Sequence, residues 1–185
     1  MRFVPRAENQ EADDRSKDED VAAYCIAPKA VAELCKRWKF TVSFDLFSSA
    51  WARVSHKARF CSRWFAPGSQ GDAFGRSWSP EGVGSGAWIH PPPAILETVI
   101  RKIIKDGTVG VLVTPAFSDS AWAGWLNKGR RRGGWVKASS RKWWAHEDDI
   151  TRSTAPGGHD GVPSFALRGH LIDCSTISNE GGQWV

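Results

Sequence analysis

Between Pro28 and Trp38 the apolar residues Val31, Leu34, Cys35 and Trp38 recur at helical spacing, and Pro28 suits a first helical turn. The next segment, Phe40-Thr41-Val42-Ser43-Phe44-Asp45-Leu46, alternates apolar and polar, the period of a strand. A brief strand over Gly86 to Ile89 then leads to a helix from Ile95 to Lys105. Its Ile95, Leu96, Val99, Ile100, Ile103 and Ile104 share one face, and Gly107 provides the stop. Thr108 to Val113 is unbroken apolar sequence, as expected for a central strand covered on both sides and ended by Pro115. Ser118 or Asp119 can cap a further helix through Trp122, Trp125 and Leu126. Trp135-Val136 and Ser164 to Asp173 read as later strands, separated by the Gly/Pro-rich loop 155–163. Residues 48–86 form a connection of a length that is usually functional or hides a short element.

Strand–helix–strand units of this size predict an α/β fold with a parallel sheet and right-handed crossovers. Ligands in such sheets lie outside the carboxyl ends of the strands. Asp45, His90 and Thr114 all fall at predicted strand ends, and the expectation is that they line one crevice.

Charge divides the 185-residue chain in two. Residues 1–20 hold seven acids against four bases and almost no apolar residue, which predicts an acidic, disordered tail ahead of a domain over 21–185. The total charge is +5, so the rest of the chain carries +8 and favours polyanionic partners. Cys25, Cys35, Cys61 and Cys174 form no Cys-x-x-Cys pair, so neither a zinc site nor a secreted disulfide framework is indicated. No other metal site is expected, since the acids beside His146 (Glu147, Asp148 and Asp149) read as a solvated face. With no signal-peptide core after Met1 and no apolar run of membrane-spanning length, an intracellular protein without a membrane partner is expected.

The densest chemical signal is Trp88-Ile89-His90-Pro91-Pro92-Pro93, an apolar strand that ends in a polar residue and prolines before a helix. Around it stand Phe44-Asp45-Leu46-Phe47-Ser48-Ser49-Ala50, Arg59-Phe60-Cys61-Ser62-Arg63, Gly71-Asp72-Ala73-Phe74 with Trp78, and Val111-Leu112-Val113-Thr114-Pro115-Ala116 with Trp122. Taken in that order, roughly residues 28–126 resemble the adenine methyltransferase-like domain of phage-type Dam proteins. They are most similar to the version carried by DIRS-type tyrosine-recombinase retroelements. The resemblance implies a Rossmann-like fold with a mostly parallel central sheet, S-adenosylmethionine as cofactor and the exocyclic amine of adenine as substrate. It implies cofactor contacts from Asp45, Phe47 and Asp72, and catalytic positions at His90, Pro91, Pro92 and Pro93.

An aromatic amine is a poor nucleophile because its lone pair is delocalised into the ring. In the family a polar side chain (Asn, Asp or Ser) and a proline carbonyl accept hydrogen bonds from that amine. A following Tyr or Phe stacks on the flipped base. Here His90 replaces the polar residue and Pro93 the aromatic one. Neutral imidazole accepts one hydrogen bond. The proline ring has no π system for a stacking contribution of about 1–3 kcal/mol. No Gly-x-Gly-x-x-Gly loop announces a nucleotide cradle.

A second signal is Lys128, Arg130, Arg131, Arg132, Lys137, Arg141 and Lys142, with Trp135, Trp143 and Trp144 interleaved and no acid among them. Such a pattern suits phosphate contacts and base stacking on a nucleic acid, and the resemblance implies DNA rather than RNA as the partner. Three readings follow: an adenine methyltransferase-like protein of phage or retrotransposon descent, a non-catalytic nucleic-acid-binding module on the same fold, or a decayed mobile-element fragment.

Overall fold

The computed structural model describes residues 24–48, 52–62, 66–116, 120–131, 133–143, 150–152 and 166–177. In chain order the elements are β1 (Tyr24–Ile26), α1 (Pro28–Trp38), β2 (Phe44–Asp45), β3 (Arg59–Phe60), a 3₁₀ turn (Ala73–Gly75) and a short α2 (Pro80–Val83). Then come β4 (Ala87–Ile89), a second 3₁₀ turn (Pro93–Ile95), α3 (Leu96–Asp106), β5 (Val109–Pro115), α4 (Ala121–Gly129), β6 (Val136–Trp143), β7 (Ile150–Arg152) and β8 (Leu167–Asp173).

Six strands form one mixed, mostly parallel sheet in the order β3-β2-β4-β5-β8-β6, while β1 and β7 make a separate antiparallel pair. The first four run parallel, and β8 is antiparallel to both β5 and β6. From β2 the chain winds outward to β3, then returns to place β4 and β5 on the other side of β2. The winding direction therefore reverses between β2 and β4, and that gap is the topological switch point of the sheet.

Both faces are covered. On one, Leu96, Val99, Ile100 and Ile103 of α3 and Trp122 and Leu126 of α4 pack on Phe44, Ile89, Leu112 and Ile172. On the other, Val31 and Leu34 of α1 pack on Trp88, Val111, Val113, Trp143 and Leu167. Double coverage explains why the β5 run has no polar alternation. Helix α3 follows its sequence pattern, preceded by the prolyl 3₁₀ turn and closed by Gly107 at φ 67°.

Two expectations need revision, and the short element expected within 48–86 is present. The alternating segment 40–46 pairs only at Phe44–Asp45, and Phe44, Asp45 and Leu46 are all buried, because β2 lies between two neighbours and under two layers. The long connection 48–86 contains β3, the first 3₁₀ turn and α2. The strand expected at Trp135-Val136 runs from Val136 to Trp143, through much of the basic cluster. Helix α4 starts after Ser120, whose side chain makes no capping bond. Ser118, Asp119, the 1–20 tail and the 155–163 loop lie outside the described residues. Among those described, no helix is long and apolar enough to cross a membrane.

Close strand approach depends on glycine. A Cβ on Gly110 would lie 2.2 Å from the Ala87 carbonyl oxygen across the β4–β5 pair, whereas one on exposed Gly124 of α4 meets nothing within 4 Å. Gly110→Ala is therefore expected to destabilise the fold by about 1–3 kcal/mol. Gly124→Ala should stabilise it by roughly 0.5–1 kcal/mol. Urea unfolding of the two variants checks both signs.

Candidate functional site

Asp45 ends β2 at the switch point and is 2 % exposed. Its Oδ2 accepts from the Val54 backbone N–H at 3.1 Å, and its carboxylate also accepts from the Phe47 N–H and the Ser48 hydroxyl. Burial pushes the carboxyl up to about 6 against these hydrogen bonds and the Arg53 charge, which pull it down. Arg53 stacks over the Phe60 ring at 4.2 Å, and its Nε is buried with no hydrogen-bond partner. Arg76 donates to the Gln70 carbonyl oxygen at 2.8 Å, and its Nε is likewise buried and unpartnered. Between these groups Cys61 is fully buried, and burial raises its thiol; Arg76 lowers it, while Asp72 and Asp45 raise it. A thiol held protonated in this way is not set up as a nucleophile.

Beside Asp45, Phe47, Phe74 and Trp78 form an aromatic trio with centroid separations of 5.6–5.8 Å. Trp78 anchors it: the backbone N–H donates to Asp106 Oδ2 and the indole Nε1–H to the Ala73 carbonyl oxygen, both at 2.8 Å. Lys102 pairs with the same Asp106 at 2.8 Å and lies 5.1 Å from the Trp78 ring. The first 3₁₀ turn is thereby pinned to the end of α3. Phe74 remains 38 % exposed, a large apolar surface left open to a planar ligand. Asp72 caps that turn, its Oδ1 accepting from the Phe74 N–H at 3.2 Å, and is otherwise exposed.

His90 follows β4, next to β2 in the sheet. Asp45 is in register with Trp88, so both lie on the α1 face, and strand alternation carried two residues on puts His90 there too. His90 is half-buried, and desolvation of its ring lowers the imidazole to about 4, leaving it neutral at physiological pH. Pro91 is buried, whereas Pro92 and Pro93 are exposed at the start of the 3₁₀ turn.

Thr114, expected in the same crevice, belongs elsewhere. It alternates with Val113 and so lies on the α3–α4 face, where it meets His170 of β8. Thr114 Oγ1 is 3.1 Å from His170 Nε2, and Arg130 Nη2 and Ser139 Oγ are each 3.1 Å from Nδ1. Arginine can only donate, so Nδ1 is the bare acceptor and Nε2 carries the proton. Nε2–H then donates to Thr114, whose hydroxyl donates to the Pro115 carbonyl oxygen at 3.0 Å. Burial, reinforced by Arg130 and Arg168, lowers His170 to about 3. This network escaped the sequence reading because its members come from four separate elements.

The basic cluster is divided by burial. Trp135 and Trp143 are core residues, 1 % and 3 % exposed, so neither presents a stacking face; a Cβ on Gly129 would strike the Trp135 ring at 2.5 Å. Lys128, Arg130, Arg131, Lys137, Arg141 and Lys142 are exposed. Arg132 and Trp144 lie outside the described residues. No group of three His, Cys, Asp or Glu among the described residues could hold a metal ion. A cavity of about 20 Å³ between α1 and β6, room for one water, is lined by Glu33, Arg37, Ser140 and Trp143 and lies apart from Asp45 and His90. No family model, curated protein or solved structure matches this chain.

The Asp45 environment has a pH signature. Its ordinary value of 3.8 is raised to about 6 in the fold, so the folded state holds a proton that the unfolded chain has released. Stability conferred by Asp45 is complete below pH 3.8 and is lost as pH rises through about 6, an effect on the order of 3 kcal/mol. His90 and His170 act oppositely: their contribution is present above 6.5 and lost as pH falls toward about 4 and about 3. Subtracting the urea-unfolding profile of Asp45→Asn from that of the parent isolates the acid. A difference that declines between pH 4 and 6 is expected, and parallel profiles would contradict the assignment.

Proposed function

We propose that this chain is a methyltransferase-like nucleic-acid-binding protein of phage or retroelement descent, on a Rossmann-like fold that takes S-adenosylmethionine beside β2 and β4. One observation carries the reading. Asp45 and the His90-Pro91-Pro92-Pro93 turn stand at the carboxyl ends of adjacent parallel strands on either side of the switch point, where open α/β sheets bind ligands.

The surrounding groups suit that cofactor chemically. Asp45 is a buried carboxylate able to accept from ribose hydroxyls or an ammonium. The orphaned Nε groups of Arg53 and Arg76 can donate to a carboxylate. Phe47 and the exposed Phe74 offer aromatic surface to a purine, near Asp72. The bound cofactor supplies an electrophilic methyl group. Neutral His90 accepts one hydrogen bond from the target amine, and a proline carbonyl of the turn accepts the other. Positioning of the two reactants supplies much of the rate.

Calorimetric titration with S-adenosylmethionine tests this reading. Saturable heat and a raised Tm are expected, with Asp45→Ala losing about tenfold in affinity as a charged hydrogen-bond acceptor is removed. No heat and no thermal shift at millimolar cofactor would sink it. With cofactor bound, His90→Ala should reduce labelled methyl transfer to DNA by about tenfold or more. Unchanged transfer would show that His90 is not the acceptor. The second reading, a non-catalytic binding module, is favoured by Pro93, which gives the base no π face. A cofactor-silent protein that still binds nucleic acid would establish it.

A further inference from the structure

Arg168 lies 26 residues beyond Lys142, outside the basic run, yet β8 inserts between β5 and β6 and places it opposite Thr114 and Lys142. On the same face two residues along is His170, whose Nδ1 holds the Arg130 guanidinium at 3.1 Å. Both arginines lie by His170, Arg130 through its bond to Nδ1 and Arg168 two residues away on β8, and the charge of Arg168 adds to desolvation in lowering Arg130 below its ordinary value. Neither makes an ion pair with an acid among the described residues. The Arg168 Nε is buried with no hydrogen-bond partner. Two guanidiniums brought together against their repulsion, one fixed by a neutral histidine, make a receptor for an oxyanion.

The position narrows the ligand class. The pair stands at the carboxyl end of β5, the edge that also carries His90 at the end of neighbouring β4. Two strand spacings, about 10 Å, separate β8 from β4 along that edge, with the arginine pair on the α3–α4 face and His90 on the α1 face. Exposed Lys128 and Arg131, either side of Arg130 in sequence, extend the positive surface, and no acid occurs from 128 to 143. A repeating polyanion answers that distribution better than one small anion.

We propose that Arg130 and Arg168 clamp a backbone phosphodiester of a nucleic acid at the edge of the sheet where His90 lies, with His170 and Thr114 acting as positioning residues for Arg130. This rests on the nucleic-acid part of the function proposed above. It identifies a contact residue, Arg168, outside the sequence cluster, and a role for the His170 network.

The test is fluorescence anisotropy of labelled DNA oligonucleotides with the full chain at several salt concentrations. Arg168→Gln should weaken binding about tenfold and flatten the log–log salt slope by about 1. Arg168→Lys should keep the slope but bind severalfold more weakly, having lost the planar fork. Arg101→Gln, on exposed α3 and paired with Glu97 at 2.9 Å, should bind as the parent does. Parent-like affinity and slope in a natively melting Arg168→Gln would overturn the clamp. If that variant fails to fold, parent-like affinity in Arg168→Lys does so instead. A Tm rise with inorganic phosphate that requires Arg168, alongside DNA binding that does not, would reassign the site to a small anion and overturn the nucleic-acid proposal. Retained cofactor binding with DNA affinity independent of Arg168 sinks the clamp alone. Arg168-dependent DNA binding without cofactor binding sinks the methyltransferase reading alone.

Discussion

The insertion of β8 between β5 and β6 is the constraint on which the second half of the molecule depends. Val109 through Pro115 pair residue by residue with Asp173 through Leu167, and β6 reaches the sheet only through β8. That antiparallel strand completes both layers, giving Ile172 to the α3–α4 side and Leu167 to the α1 side. It also carries His170 and Arg168 to the end of β5. The ladder is irregular on its β6 side, with register shifts between Val136 and Ala138 and between Ser139 and Lys142. Such irregularity re-aims side chains, and Ser139 is one of the residues that reaches His170.

The two polar sites share one physical device, a histidine kept neutral by desolvation, fully buried at His170 and half-buried at His90. A buried imidazolium would need a counter-charge, whereas a buried neutral ring needs only its hydrogen bonds satisfied. At His170 the ring is fully engaged, accepting from Arg130 and donating to Thr114, and so transmits position rather than charge. At His90 the same neutrality preserves an acceptor at the end of β4. Asp45 is the complementary case: hydrogen bonds to its carboxylate recover part of the desolvation cost, and the remainder appears as a raised affinity for protons.

The aromatic residues divide their labour in a way that composition alone conceals. Trp78, Trp88 and Trp135 are packing residues, and Trp78 also uses its indole N–H to fix the 3₁₀ turn that presents Phe74. Phe74 stands open where Trp135 and Trp143 of the basic run turn inward. The surface that can meet a planar ligand is thus near Asp45, while the surface that can meet phosphate lies at β5, β6 and β8.

Local sequence determined the elements whose signal is periodic or punctuated. Helix α3 was legible from its isoleucine stripe and Gly107, α1 from Pro28 and its apolar spacing, β5 from its unbroken apolar run, and the β4 turn from its prolines. Asp45 and His90 were legible as strand-end residues for the same reason. The tertiary structure decided what depends on strand order and facing. The two-residue strand β3 has too few positions to show a period. Residues 40–46 alternate in sequence, yet β2 is buried on both sides because of its neighbours. Thr114 left the Asp45 crevice because one residue of offset turns a strand side chain to the opposite face. Arg168 comes to the neighbourhood of His170 and Arg130 because β8 runs between β5 and β6, a placement across 38 positions that no local pattern encodes.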